Sequence, residues 1–102
     1  MSEFHKVVAV ADLPPGRGME ASVAGRPVAL FNVGGSFHAI GNLCGHRGGP
    51  LGQGVLEGST VMCPWHAWTY DVTTGLSTVN PELRVPRYDV KVEDDHVWVK
   101  TE

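Results

Sequence analysis

An excess of basic charge is missing from this chain of 102 residues: eight Lys and Arg stand against eleven Asp and Glu, leaving a net charge of −3. Such a chain has little attraction for a phosphate backbone or an anionic lipid surface, so neither nucleic acid nor membrane is expected as a partner. No apolar run approaches the ~20 residues of a membrane span. The opening stretch MSEFHKVVAVADLPPG offers no basic leader, no apolar stretch of signal length and no cleavage site, so a cytoplasmic protein is expected. Helical periodicity is also missing, as are internal repeats and a linker. Cysteine is scarce, with two residues in all, enough for one disulfide at most. In a reducing compartment, cysteines that sit beside histidines read better as metal ligands than as a bridge.

Glycine and proline are plentiful, at thirteen and seven residues. Together with short alternating runs they predict many turns and an all-β domain over residues 1–102, large enough to bury its own core. Strands are expected at Phe4–Val10, Met19–Val23, Pro27–Val33, Ser59–Cys63 and Ala67–Val72. Asn32–Gly41 reads as a hairpin turning at Gly34-Gly35, a pair suited to the positive φ angles of a type I′ turn. Tyr88–Lys100 reads as a second hairpin turning at Asp94-Asp95, with Val90, Val92, Val97 and Val99 at strand period. Asn80–Pro86 reads as a loop.

The chemistry concentrates between Leu43 and Tyr70, in LCGHRGGPLGQGVLEGSTVMCPWHAWTY. Both cysteines and two of the five histidines fall here, as Cys44-Gly45-His46 and Cys63-Pro64-Trp65-His66, each pair on a loop between strands. Four such ligands suit zinc or an iron–sulfur cluster. Zinc fingers usually group two cysteines, then two histidines, whereas each segment here is mixed. A centre with two metals of different ligand type would need this arrangement, each loop giving its thiolate to one iron and its imidazole to the other. The glycine-rich stretch Gly45–Gly54 lacks the Lys-Ser/Thr and the helix of a phosphate loop. His5, His38 and His96 have no cysteine neighbours and read as surface or half-buried strand residues. Trp98 reads as core of the last hairpin, and Glu93-Asp94-Asp95 as a solvated turn.

The pattern Cys-x-His, sixteen residues, then Cys-x-x-His resembles the Rieske iron–sulfur family. CGHRGGPL and CPWHAWTYD are similar to its two cluster-binding loops, down to Gly48, Pro50, Leu51 and Pro64, and the likeness is densest over residues 43–71. The resemblance implies a Rieske-like antiparallel β-sandwich holding one 2Fe-2S cluster. Cys44 and Cys63 would then bind one iron, and His46 and His66 the other through Nδ1. Two ferric ions balance two sulfides and two thiolates, so the oxidised centre is neutral. An all-cysteine centre starts doubly negative, so histidine ligation makes the electron easier to accept and raises the potential.

Three departures narrow the expectation. Rieske proteins of the respiratory cytochrome complexes carry an extra cysteine in each loop, joined as a disulfide; the matching positions here are Gly49 and Trp65. Those proteins also place a serine, whose hydroxyl donates to a cluster sulfur, where this chain has Trp68. A hydrogen bond to a charged acceptor is worth ~1.5–3 kcal/mol, and ~1.4 kcal/mol is about 59 mV for one electron, so its loss lowers the potential by roughly 60–130 mV. Tyr70 stands where the family often has a tyrosine donor. The potential is expected near the low end of the Rieske range, closer to about −150 than to +300 mV. Ala67 replaces a glycine common after the second histidine.

The resemblance implies a monomeric one-electron carrier, not itself an enzyme, fed by a flavin-dependent NAD(P)H reductase and discharging to a terminal ring-hydroxylating oxygenase. The length leaves no room for a mononuclear-iron domain, so the chain is not expected to be the oxygenase. The alternatives are the small Rieske-like subunit of an assimilatory nitrite reductase and a zinc-structured interaction module. Arg47, Pro50, Leu51, Pro64, Trp65 and Pro81 are expected to surround the centre and meet the partner.

Overall fold

The computed structural model describes residues 3–43, 49–65, 68–80 and 82–101. Its strands are β1 (His5–Ala9), β2 (Gly18–Val23), β3 (Arg26–Val33), β4 (Ser36–Gly41), β5 (Val55–Glu57), β6 (Thr60–Met62), β7 (Thr69–Asp71), β8 (Arg87–Glu93) and β9 (His96–Lys100). They form two antiparallel sheets, one of six strands in the order β1-β9-β8-β4-β3-β2 and one of three in the order β5-β6-β7. The expected all-β class and both hairpins are present. Among the described residues, the helical elements are single 3-10 turns at Val10–Asp12 and Leu51–Gln53. The first of these ends β1 one residue before the expected limit.

Turn chemistry sets the large sheet. Gly34 and Gly35 take φ values of 58° and 100°, and Asp94 and Asp95 take 55° and 61°, as two-residue hairpins with right-handed strand twist require. Aspartate tolerates the left-handed region better than most residues because its short polar side chain bonds locally. Asn32 braces the first of these turns: its Oδ1 accepts from Gly35 N at 2.8 Å while its Nδ2 donates to Leu13 O at 2.8 Å.

The strand β3 carries a continuous apolar run, and the reason is that both its faces are covered. Val28 and Leu30 join Leu13, Val23, Ala39, Val97 and Val99 in one core within the large sheet. Ala29 and Phe31 point the other way, with Ile40, into a second core shared with the small sheet and its loops. On β9, Val97 and Val99 point inward, so strand alternation turns Trp98 outward. Its indole lies 5.8 Å from Lys6 Nζ and 5.5 Å from Lys91 Nζ, and Nε1 donates to Glu93 O at 3.1 Å. The expectation that Trp98 is core is therefore corrected by the period of its own strand.

The small sheet and the segments that carry the two Cys/His pairs are an insertion between β4 and β8, which are neighbours in the large sheet. At its root Gly41 N donates to Pro86 O at 2.8 Å. Strand β5 has no signal in the sequence, because three residues after a glycine-rich stretch are too short for a period of two to show.

Candidate metal centre

Of the four expected ligands, Cys44, His46 and His66 lie outside the described residues, as do Arg47, Ala67 and Pro81. Cys63 is described and is 1% exposed, in the second core with Leu51, Val61 and Tyr70. It follows β6, and its N–H donates to Trp68 O at 2.7 Å, so the chain on both sides of the Cys63–Trp68 turn is held at the end of the β6–β7 hairpin. Trp68 packs partly buried against the same core, and Tyr70 is wholly buried in it.

The first loop is closed at its neck. Leu43 and Pro50 form an antiparallel bridge. Below it Leu51 N donates to Asn42 O at 2.7 Å and Gly52 N donates to Asn42 Oδ1 at 2.8 Å. The chain leaves this neck at Leu43 and is back at Gly49, so the Cys-Gly-His segment is bounded by a short fixed base.

The two loops meet at Gly49. A Cβ built on Gly49 would lie 2.6 Å from Cys63 Sγ and 3.2 Å from Trp65 Cβ. Gly49 and Trp65 are the positions matching the disulfide of the respiratory proteins. Paired half-cystines place their Cβ atoms ~3.5–4.5 Å apart, so the contact here is of the kind that a bridge would span. With glycine at one position and tryptophan at the other, the two loops touch without a covalent link. The donor chemistry and this close approach fit a thiolate-held cluster: a cysteine sulfur is kept in an apolar, glycine-lined crevice next to the return of the other loop.

Leu51 departs from expectation. It was placed on the partner-facing surface, yet it is fully buried, because the 3-10 turn Leu51–Gln53 tucks its side chain into the core beside Cys63. Pro50 is half-buried, while Pro64 and Trp65 are exposed, Trp65 by 51%. Leu43, 53% exposed at the neck, was not singled out from the sequence. Asn42 was also passed over. A polar residue at the end of the run HAIGN, two places before an expected ligand, is the signal for it.

His5, His38 and His96 are half-buried, as expected. Burial holds His38 below the usual imidazole range, and the Arg87 guanidinium pushes the same way against a weaker opposite pull from Asp71.

The structure is an antiparallel β protein in which the buried Cys63 meets the returning end of a second loop that is pinched at its base. Residues 3–89 match the family model described as Rieske [2Fe-2S] domain. The ferredoxin component of naphthalene 1,2-dioxygenase/salicylate 5-hydroxylase systems from Ralstonia sp is 36% identical over 92 residues, covering 89% of this chain and 88% of that protein. The ferredoxin of carbazole 1,9a-dioxygenase from Nocardioides aromaticivorans IC177 superposes with a TM-score of 0.88 at 34% identity, over 94% of this chain and 95% of that one. A putative NADH-dependent nitrite reductase small subunit from Mycobacterium tuberculosis superposes with a TM-score of 0.92 at 26% identity, over 100% of this chain and 97% of that one. The chain belongs to the Rieske 2Fe-2S family, and such a domain implies a Rieske two-iron, two-sulfide cluster. Its ferredoxin homologues are electron-transfer components of dioxygenase systems, not the catalysts. Among the described residues, no helix is long and apolar enough to cross a membrane.

Proposed function

We propose that this chain is a soluble one-electron carrier of the cytoplasm, a monomer that is one Rieske domain over residues 1–102. It accepts electrons from a flavin-dependent NAD(P)H reductase and delivers them to a terminal ring-hydroxylating oxygenase. Cys44 and Cys63 supply thiolates to one iron, and His46 and His66 supply imidazoles to the other. Bound there, the cluster supplies one reversible electron at a potential raised by the imidazoles.

The observation that carries this reading is a match to a dioxygenase ferredoxin component over nearly the whole length of both proteins. The chain's own residues have simple tasks. The Asn42 neck holds the base of the first loop. Gly49 leaves room beside the Cys63 sulfur. Pro64, Trp65 and Leu43 are exposed side chains on the two loops, available to a transient redox partner.

The nitrite reductase small subunit is a second reading, favoured by the close superposition over the entire chain. The lower identity there and the complete set of four donors favour the carrier. Purification separates them: a red-brown monomer reduced by a flavoprotein supports the carrier, and a tight complex with a large siroheme protein supports the subunit. The carrier should hold about two irons and two acid-labile sulfides per chain and, once reduced, give a rhombic paramagnetic signal. His46→Ala and His66→Ala should lose that signal, while His5→Ala and His96→Ala keep it. One zinc and no iron after reconstitution would refute the reading.

A further inference from the structure

We propose that Glu20, on β2, is a positioning residue for the metal centre: it ties both stems of the first ligand loop to the large sheet and slows loss of the cluster. The proposal rests on the assignment of Cys44 and His46 as ligands.

Glu20 takes one hydrogen bond from each stem. Asn42 Nδ2, on the outgoing stem, donates to Glu20 Oε1 at 2.8 Å. Gln53 Nε2, on the returning stem, donates to Glu20 Oε2 at 2.6 Å. Asn42 is 7% exposed, so its amide must be matched at both ends. Its N–H donates to Glu20 and its oxygen accepts from Gly52 N–H. Three side chains thus form one chain of bonds from the sheet, across the outgoing stem, to the returning stem.

The stem also lies directly on the strand. A Cβ on Gly52 would meet Glu20 Cγ at 2.6 Å, Met19 O at 2.8 Å and Glu20 N at 2.9 Å. Only a glycine lets the returning stem approach β2 this closely, which brings Gln53 within reach of the carboxylate. The bonds from Gln53, then Asn42, hold the Glu20 carboxyl below its ordinary range, so it is the charged form that accepts.

The arrangement serves the loop rather than the sheet. Strand β2 is the edge of the large sheet, with β3 its only strand neighbour there. Glu20 itself is exposed, outside both cores. Removing its carboxylate leaves the β2–β3 ladder and both cores intact and frees only the neck. The bonds therefore act on how often the two stems separate, the motion that would loosen the segment joining them, on which Cys44 and His46 fall in sequence.

The test uses the iron-loaded protein and a ferrous chelator, following the visible absorbance as the cluster is lost. Glu20→Ala should lose it on the order of tenfold faster than the parent, the effect expected from charge-assisted bonds at an exposed carboxylate. Glu20→Gln should stay within about twofold, because Gln53 can turn its amide over and accept from the new side-chain N–H. Ser22→Ala, on the same strand, should match the parent. Amide exchange on the same samples separates position from fold: Gly52 N–H should exchange faster in Glu20→Ala, while Phe31 and Val99 N–H stay as protected as in the parent. An unchanged loss rate in Glu20→Ala would overturn the proposal. So would equal acceleration of exchange at Gly52, Phe31 and Val99, which would make Glu20 a support of the whole fold. A His46→Ala control that kept its iron would overturn the ligand assignment beneath the proposal, and the proposal with it.

Discussion

A single methyl group at Gly49 should weaken this protein's hold on its cluster. The added Cβ would stand 2.6 Å from Cys63 Sγ, 3.1 Å from Trp65 Cγ and 3.2 Å from Trp65 Cβ. Non-bonded heavy atoms of this size rest near ~3.5–4.0 Å, so the overlap with sulfur is about 1 Å. The nearest neighbour, Cys63, has no easy retreat. Cys63 is 1% exposed and its N–H is bonded to Trp68 O, and in the loaded protein its sulfur would be fixed by iron as well. Gly49 is itself buried, and its backbone is outside the left-handed region, so the penalty is crowding and not φ strain. Overpacking of this kind costs ~1–3 kcal/mol. At about 1.4 kcal/mol per factor of ten, that weakens cluster retention by roughly fivefold to somewhat over a hundredfold. The assay is reconstitution with ferrous iron and sulfide, then titration with a chelator while visible absorbance is read per chain. Gly34→Ala is the comparison: at φ 58° with open space around it, it bears left-handed strain of ~1–2 kcal/mol in overall stability but should load normally. If Gly49→Ala held its cluster at the same chelator concentration as the parent, the contact between the loops would not govern the site.

Three further outcomes are expected. His38 is held below its ordinary range by burial and by Arg87, so the unfolded chain binds a proton before the folded one does. The stability that neutral His38 contributes is present above the unfolded value of about 6.5 and is lost as pH falls from there toward the folded value. Denaturant unfolding of parent and His38→Gln across this range should show a shallower decline in the variant, and identical slopes would refute the assignment. Leu43→Ser, a neutral change at a 53% exposed residue, should slow electron delivery to the physiological oxygenase in stopped flow with spectrum and potential nearly unchanged, whereas Lys100→Asp, which removes a surface pair with Asp89, should do little. The reduction potential should be low and flat around neutrality; a redox titration with a clear slope between about pH 6 and 8 would contradict this.

The parts of the fold that were legible from sequence are those governed by neighbours in the chain. The hairpins at Gly34-Gly35 and Asp94-Asp95 follow from local φ requirements, and Val97 and Val99 follow from a period of two. The two mixed Cys/His pairs are also written in short spacings, and of their four residues Cys63 alone lies among the described ones. The misreadings needed tertiary information. Leu51 sits in a polar, glycine-rich stretch that suggests surface, and only the turn after Pro50 sends it into the core. Trp98 is large and apolar enough to suggest burial, and the inward valines on either side of it decide otherwise. Asn42, Gly52, Gln53 and Glu20 are unremarkable one at a time. Their relation appears when β2 is seen to pass beneath the neck, because 22 residues separate Glu20 from Asn42.

The insertion between β4 and β8 begins and ends at one point, where Gly41 N–H meets Pro86 O. Seen from that root it resembles a removable module, with length and content free to vary without disturbing the strands that flank it. The floor says otherwise. Ala29, Phe31 and Ile40 belong to the large sheet, yet their side chains fill the core that the insertion closes. A graft of residues 42–86 onto a foreign sheet would arrive without them, and excision would leave that apolar floor open to water and prone to self-association. The transplantable unit is therefore the insertion together with one face of β3 and β4, and shuffling in the laboratory should succeed only where cut points respect that boundary.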